Sequence, residues 1–279
     1  MNPSRAIFHM QKICSDLKQE YEALDSLVFT LDRRKWDLPT LFYDWTLFDQ
    51  VLHIAFFDHE ALLALKEPDR FRKRAKKILG HIGSGQPWPQ WTQTMSGVRS
   101  PAGLLSYWRT VRARLVQRLA RLDPQDRLPW YGPDMSARSL ASARIMETWA
   151  HGQDIFDALG KKRENRARLY HVAHMGVTTF GWSFRIRGQD PPAHTPCILL
   201  LGPGNESWEW NEPGCQGKVR GRAEEFCLVV TQRRNLADTR LKWEGDRVGE
   251  WLSMAQAFAG IPQDPPLPGV RVVEYEPRD

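Results

Sequence analysis

The chain has 279 residues, of which 42% are hydrophobic and 26% are charged, and its formal net charge is +6. This length allows two domains that each bury a core, and the composition is that of a soluble globular protein. There is no run of about 18 apolar residues, so we expect no membrane-spanning helix and no membrane partner, and the charged N-terminus lacks the apolar core that a signal peptide would need. We therefore expect a cytoplasmic protein.

Four cysteines, Cys14, Cys197, Cys215 and Cys227, are widely spaced and form no CxxC pair. This spacing is typical neither of a disulfide framework nor of a cysteine-ligated zinc site. Cys197 and Cys227 lie in the apolar runs CILLL and FCLVV, which favour buried structural thiols over nucleophiles. We expect all four thiols to be reduced.

A basic run, RFRKRAKK, extends from Arg70 to Lys77 and is the best candidate for a nucleic-acid patch. However, 33 acidic residues are interspersed through the chain, and no helix-turn-helix, RRM, KH or zinc-finger pattern accompanies the run. A solvated helix end explains it better, so we do not expect nucleic acid as a partner. The excess positive charge is equally suited to attracting an anionic small molecule.

The first part of the chain, residues 1–162, is predicted to be a four-helix bundle. Apolar residues recur with a period near 3.6, and Thr46 with Asp49 predicts a capping box at the start of the second helix. A bundle of this kind commonly holds metal sites between facing helices. The predicted helices span residues 5–31, 46–66 and 102–122, and a fourth segment that ends before Gly160. Whether the second helix continues after Pro68 is left open by the pattern.

A stretch rich in Gly, Pro and Ser separates the second and third long helices. It covers residues 80–101, includes Trp88 and Trp91, and is predicted to be a long loop or a broken helix. Segments of this kind often border a site, and we expect the two tryptophans to form a wall of it.

The pattern changes from about residue 191. CILLL, the turn GPGN and SWEWNE predict a β-hairpin, and the following segments predict helix, strand and helix. Residues 191–279 are therefore predicted to be a small α+β domain, and the fold class is α plus α+β. Residues 163–190 are predicted to be a connecting helix and linker, in which His171 and His174 share one face. Two interpretations of these histidines stay open, a role in a site and ordinary packing between helices.

Metal-ligand side chains occur in the middle of two otherwise apolar helices. Glu147 and His151 are four residues apart and project from one helical face, on which Asp154 also lies. His53 is alone among apolar neighbours, and a bundle would bring it opposite this pair. Two imidazoles and a carboxylate suit zinc or another divalent transition metal, with a coordination position left for water or substrate. The plainer alternative to a metal site is that Glu147 and His151 are a solvated side-chain pair on a helix and that His53 is a hydrogen-bonded core histidine.

Several other polar residues are further candidates for a role in the site. Asp58 and His59 project away from the side of the helix that carries His53. Arginines are candidates, by charge alone, for holding substrate carboxylates. Arg233 and Arg234 lie near a predicted helix end, where capping the helix and compensating its dipole are an alternative to substrate binding. These arginines are Arg144, Arg222, Arg233 and Arg234.

The segments DQVLHIAFFD and METWAHGQDI resemble the DinB-like proteins related to mycothiol-dependent maleylpyruvate isomerase. The resemblance extends over nearly the whole chain, and EEFCLVVTQRRNLADTRLKWEGDRVGEWLSMAQAFAG is similar to the second domain of an uncharacterised metal-binding branch. It implies a DinB-like bundle in which His53, Glu147 and His151 bind the metal. Asp154 would orient a ligand imidazole or be a fourth ligand, unless it is a solvated helix-end residue.

The chemistry that the resemblance implies is metal-dependent thiol transfer or isomerisation on a small, anionic electrophile. A divalent metal, zinc by preference, would hold a low-molecular-weight thiol such as mycothiol as its thiolate. The alternative is a non-catalytic protein that binds a metal or a hydrophobic ligand. A zinc ion fully ligated by protein, with Asp154 as fourth ligand, would favour that alternative. No catalytic residue is assigned.

Overall fold

The structure is a computed structural model that describes the backbone of residues 3–82 and 88–275, with the side chains of residues 10–81 and 88–275. Its contacts divide the chain into two compact units, Met1–Ala158 and Leu159–Asp279. The first is helical and the second contains helices and a small mixed sheet, so the predicted fold class is confirmed. Within the described ranges, no helix is both long enough and apolar enough to cross a membrane.

The first unit is a helix bundle. Its helix α2 packs against α5 and α6, and α1 packs against the same two helices. A short 3-10 helix, Arg33–Asp37, precedes α2, and a two-stranded antiparallel ribbon, β1 (Arg127–Leu128) with β2 (Met135–Ser136), precedes α6. The helices are α1 (Pro3–Phe29), α2 (Leu47–Lys66), α3 (Pro68–Ile82), α4 (Trp88–Ser96), α5 (Pro101–Leu119) and α6 (Ala137–Ala158).

Local signals determine where these helices begin. The predicted capping box at α2 is present, because the Asp49 N–H donates to Thr46 Oγ1 (3.2 Å) and the Thr46 N–H donates to Asp49 Oδ2 (3.1 Å). Helix α5 begins after Ser100, whose hydroxyl accepts from the Gly103 N–H at 3.2 Å. Within residues 80–101, α4 starts at Trp88, so this part is helical, while residues 83–87 lie outside the described residues.

The basic run lies on α3, and its arginines form ion pairs. Arg72 pairs with Asp134 (3.1 Å), Arg74 with the buried Glu60 (2.6 Å), and Arg70 with Glu67 one turn earlier. These acidic partners neutralise part of the positive charge that the sequence pattern displays.

The second unit is built on a four-stranded sheet with strand order β4-β3-β5-β6. Strands β3 and β4 form the predicted hairpin, β3 and β5 are parallel, and β5 and β6 are antiparallel. Its elements are α7 (Tyr170–Thr178), α8 (Phe180–Arg185), β3 (Cys197–Leu201), β4 (Ser207–Trp210), β5 (Lys218–Arg222), α9 (Ala223–Val230), β6 (Lys242–Glu244) and α10 (Asp246–Met254).

The connecting helix that was expected within residues 163–190 is not one continuous helix in the structure. The segment consists of a 3-10 turn, α7 and α8, and it belongs to the second compact unit. The helix is interrupted at Thr179, whose hydroxyl donates to the carbonyl oxygen of Met175 at 2.8 Å. Helix α7 packs against α9 at Gly176, where a Cβ atom would lie 2.7 Å from a methyl carbon of Val230. This close approach ties α7 to the second unit.

The expectation that all four cysteines are reduced is wrong for two of them, because Cys197 and Cys215 form a disulfide. They are 18 residues apart in sequence, but their Cα atoms are separated by 5.3 Å. The chain returns from the β3–β4 hairpin to place β5 beside β3, which brings the two thiols together. Short-range spacing rules do not detect such a pair. Cys14 and Cys227 are buried free thiols, and burial raises the pKa of Cys14 to about 12 and that of Cys227 well above its usual value.

Candidate metal centre

Helices α2 and α6 bring three of the predicted ligands together. The Nε2 atoms of His53 and His151 each lie 3.4 Å from Glu147 Oε2, and the three ligand atoms all lie within 4.8 Å of one another. Ligand atoms placed about 2.1 Å from one zinc ion at tetrahedral angles would be roughly 3.4 Å apart. The donor set and its spacing therefore fit a divalent transition metal.

The charge at this site is also suited to a cation. Burial raises the pKa of Glu147, but the rings of His151 and His53, which when protonated donate hydrogen bonds and place positive charge beside it, outweigh this effect and hold the pKa well below its usual range. The carboxylate is therefore ionised at neutral pH. Glu147 and His53 are partly buried, whereas His151 is only 4% exposed, so solvent competes little for this carboxylate.

A second layer of polar contacts orients His151. Its Nδ1 atom lies 2.5 Å from Gln50 Oε1, and Gln50 Nε2 donates to Thr40 Oγ1 at 2.8 Å. Gln50 is completely buried. Sequence reasoning missed this residue, although a glutamine three positions before His53, on the same face of an apolar helix, was a detectable signal.

Asp154 lies on the opposite side of the His151 ring from Glu147. Its Oδ2 atom is 3.7 Å from His151 Nδ1, and the residue is 5% exposed. A solvated helix-end residue is therefore the wrong description. Because Asp154 lies on the Nδ1 side, while Nε2 belongs to the ligand cluster, its position favours an orienting role over that of a fourth ligand.

Aromatic side chains surround the two histidines. The Trp45 ring stacks on His151, with ring centroids 5.9 Å apart, and the Phe57 ring lies 4.7 Å from that of His53. Trp88 stacks on Phe57 (5.7 Å), and its indole N–H donates to His53 Nδ1 at 3.1 Å. Trp88 thus lies beside the site, as expected for a wall, whereas Trp45 was not anticipated.

The loop that carries Trp45 has an unusual backbone. Tyr43 and Asp44 have φ angles of 53° and 58°, in the left-handed region that non-glycine residues seldom adopt. The Thr40 N–H and hydroxyl both donate to the Trp45 carbonyl oxygen at 2.8 Å, which closes the loop. Such conformations cost about 1–3 kcal/mol each and persist only where the surroundings enforce them. Here the closed loop holds an indole ring against His151.

Other predicted candidates lie away from this cluster. Arg144 is buried and pairs with Asp58, so it is part of the bundle core and not a substrate-binding residue. His59 faces Tyr107, at a ring distance of 6.1 Å. Both observations agree with the expectation that Asp58 and His59 project away from His53.

The remaining candidates lie in the second unit. Arg233 donates to the carbonyl oxygen of Thr231, the C-cap residue of α9, and both Arg233 and Arg234 are buried, which favours the helix-end role. His174 Nδ1 accepts from the indole N–H of Trp210 at 3.1 Å, a packing contact. Arg222 ends β5 and is exposed.

The family described as "Mycothiol maleylpyruvate isomerase N-terminal domain" matches residues 17–156, half of the chain. The chain belongs to this family. The matched region contains α2 and α6 up to residue 156, and hence all three candidate ligands, and the resemblance drawn from the sequence is confirmed.

Similar proteins include one whose function is not described. An uncharacterized protein of Mycobacterium tuberculosis, found in strains CDC 1551 / Oshkosh and ATCC 25618 / H37Rv, is 38% identical over 248 residues, which cover 89% of this chain and 95% of that protein. The likeness extends through both units.

Two solved structures are similar in fold. They are the mycothiol-dependent maleylpyruvate isomerase and a histidine-to-alanine mutant of it, with a TM-score of 0.50 in each case. Their sequence identities are 14% and 13%, and each comparison covers 79% of this chain and 88% of the other. At this identity the likeness shows the fold alone. Family membership, in turn, favours a thiol-dependent isomerase or transferase over a purely structural bundle.

Proposed function

We propose that this protein is a metal-dependent enzyme, an isomerase or transferase, that uses a low-molecular-weight thiol such as mycothiol on a small, anionic electrophile. The observation that carries the proposal is the convergence of His53 Nε2, Glu147 Oε2 and His151 Nε2 in a bundle of this family. Zinc is the preferred ion, since two imidazoles and one carboxylate are a donor set found in catalytic zinc sites with an open position.

A bound divalent ion would supply Lewis acidity and keep a thiol in its nucleophilic thiolate form at neutral pH. The chain's own residues would hold and shield this site. Glu147 contributes negative charge, Gln50 fixes the orientation of the His151 ring, and the Trp45 and Phe57 rings reduce access of water. In a site with little water, charges interact more strongly than they do in solution.

The anionic character of the electrophile rests on the chain's net charge of +6, which would attract an anion. The cytoplasm, where thiols are kept reduced, would supply the thiol. The Cys197–Cys215 disulfide weighs against that location.

The first test is the metal content of untagged protein, measured by mass spectrometry. We expect about one equivalent of zinc, iron or nickel in the wild type, because the three donors form a single site. His151→Ala and the double variant His53→Ala with Glu147→Ala should contain little. His59→Ala is the matched control, because His59 is an exposed histidine of the same helix α2 and should leave the content unchanged.

The second test is turnover with metal-loaded protein, screening low-molecular-weight thiols against small electrophiles such as maleylpyruvate. Thiol-dependent turnover that disappears in His151→Ala would support the proposal. A wild type that takes up no metal on reconstitution would overturn it. Metal uptake with no turnover for any thiol would favour the non-catalytic alternative.

A further inference from the structure

The hydrogen bonds around His151 determine which of its ring nitrogens carries the proton. The Thr40 hydroxyl donates its hydrogen to the Trp45 carbonyl oxygen, so Thr40 Oγ1 can only accept from Gln50, at 2.8 Å. The Gln50 amide nitrogen therefore faces Thr40, and its carbonyl oxygen faces His151 Nδ1. A carbonyl oxygen accepts only, so Nδ1 carries the proton. The lone pair of a neutral His151 is then on Nε2, the atom that faces Glu147.

The contact at His53 has the opposite consequence. The Trp88 indole nitrogen is a donor only, and it lies 3.1 Å from His53 Nδ1. His53 Nδ1 must therefore be the acceptor, which places the ring proton of neutral His53 on Nε2. This is the nitrogen that faces Glu147 Oε2, at 3.4 Å. An imidazole that binds a metal through Nε2 has no proton there and carries it on Nδ1 instead, where it would oppose the N–H of Trp88.

We propose that Gln50 and Trp88 regulate metal binding in opposite directions, with Gln50 holding His151 in its metal-binding tautomer and Trp88 holding His53 in the tautomer that excludes metal. This inference rests on the proposed metal site. Metal binding then requires the Trp88 indole to leave His53 Nδ1. Because Trp88 is the first residue of α4, the movement involves the start of that helix.

The decisive variant is Trp88→Phe, which keeps an aromatic ring beside Phe57 but removes the N–H donor. We expect it to bind zinc about fivefold more tightly than the wild type, since the metal no longer competes with a hydrogen bond. The matched control is Trp91→Phe, because the Trp91 ring stacks on that of Trp88 with centroids 5.1 Å apart. It should leave the affinity within about twofold of the wild-type value, as expected for a residue that makes no hydrogen bond to a ligand. Affinities are measured by competition with a chelating dye.

The effect of Gln50 is tested with two substitutions. Gln50→Met fills a similar volume without an acceptor and should weaken zinc binding roughly 10- to 100-fold, the usual cost of losing an outer-shell partner. Gln50→Glu keeps an acceptor for His151 Nδ1 and should restore most of the affinity. A purely structural role would not distinguish these two variants in this way, and circular dichroism confirms that each one is folded.

The ring protons themselves are observable in the metal-free protein. Long-range ¹H–¹⁵N correlation spectra at pH 8 should show the proton on Nδ1 of His151 and on Nε2 of His53, and the Trp88 indole signal should shift when zinc is added. Tighter binding by Trp88→Phe together with these tautomers supports the inference.

Unchanged or weaker binding by Trp88→Phe, or a His53 proton on Nδ1 in the metal-free wild type, overturns the inference while leaving the proposed function intact. A wild type that takes up no zinc overturns the proposed function, and the inference with it.

Discussion

Two polar clusters connect helices α2 and α6. They differ in whether protein groups alone supply the hydrogen-bond donors and positive charge that the buried carboxylate needs. In the first, Asp58 is fully buried and accepts from Arg144 Nε (2.8 Å), the Tyr21 hydroxyl (2.6 Å) and the Trp108 indole N–H (3.0 Å). Arg144 also donates to the carbonyl oxygen of Ile54. Every partner of the carboxylate is a protein donor, so this cluster is complete.

The second cluster lies one helical turn away along α6, where Glu147 follows Arg144 by three residues. Here His53, Glu147 and His151 bring two imidazoles against one carboxylate. Arg144 pairs with Asp58 in the first cluster, but in the part of the chain that the structure describes no arginine or lysine forms an ion pair with Glu147. The same two helices therefore provide a closed structural ion pair and, beside it, a site whose geometry suits an added cation.

Breaking the closed cluster should have the largest effect on stability. Arg144→Met leaves Asp58 buried without its charge partner, and removing one member of a buried pair costs about 3–5 kcal/mol. Urea unfolding of the metal-free protein measures this change. The double variant Arg144→Met with Asp58→Leu should recover much of the loss, since no unpaired charge remains. Equal destabilisation in the single and double variants would contradict this explanation.

Adding metal should distinguish the open cluster from the closed one. Zinc at about 100 times its dissociation constant should stabilise the wild type by roughly 2.7 kcal/mol. Glu147→Gln should lose this response, yet without metal it should lose only about 1 kcal/mol, the net value of a typical hydrogen bond. Urea unfolding with and without zinc gives both numbers. A metal-free Glu147→Gln as unstable as Arg144→Met would mean that the two clusters do not differ.

Removing a single donor from the closed cluster should have a smaller effect. Burial, followed by the negative charge of Asp58, raises the pKa of Tyr21, so its hydroxyl is protonated and donates. Tyr21→Phe should cost about 2 kcal/mol, the value of a hydrogen bond to a charged group, and should leave zinc affinity unchanged. Tyr107→Phe is the control, because its hydroxyl makes no hydrogen bond to Asp58. Loss of zinc affinity in Tyr21→Phe would show that the clusters are coupled.

A more exposed ion pair, between α1 and α5, should give the smallest effect. Burial raises the pKa of Asp25, but hydrogen bonds and charge from Arg109 and Arg112 outweigh it and lower the pKa below its usual value. A lowered carboxyl pKa stabilises the fold above the unfolded-state pKa of about 4, and this contribution is lost as the pH falls through the folded-state value. Asp25→Asn should reduce the fall in stability between pH 5 and pH 3, measured by urea midpoints, and should cost less than about 1 kcal/mol at pH 7. An unchanged slope would exclude Asp25 as a contributor.

Much of the bundle was predictable because its signals are local. The apolar period located α1, α2, α5 and α6, and the Thr46–Asp49 capping box marked the first turn of α2. The hairpin of β3 and β4 followed from the turn GPGN between two apolar runs. In each case the deciding residues are close in sequence, so the pattern and the structure describe the same interactions.

The candidate site was only partly predictable. The i, i+4 spacing places Glu147 and His151 on one face of α6, and a bundle can bring His53 opposite them, but the pattern left a plainer alternative open and only the resemblance to a family favoured the three residues as one ligand set. Thr40 and Trp45 lie on an irregular loop with two left-handed residues, whose conformation has no periodic signal. Residues on such a loop can be assigned to the site only when the fold shows what they contact.

By itself, the sequence determined the helical first part, the α+β second part, and the helix faces that carry His53, Glu147 and His151, because periodicity and capping act within a few residues. Only the tertiary structure decided that Gln50 and Trp88 contact different histidines, that Arg144 belongs to Asp58, and that Cys197 meets Cys215. These pairings join residues 18 to 101 positions apart. They depend on how whole helices and strands pack. The free energy of burying the apolar surfaces of these elements selects which side chains meet, and no local pattern carries that information.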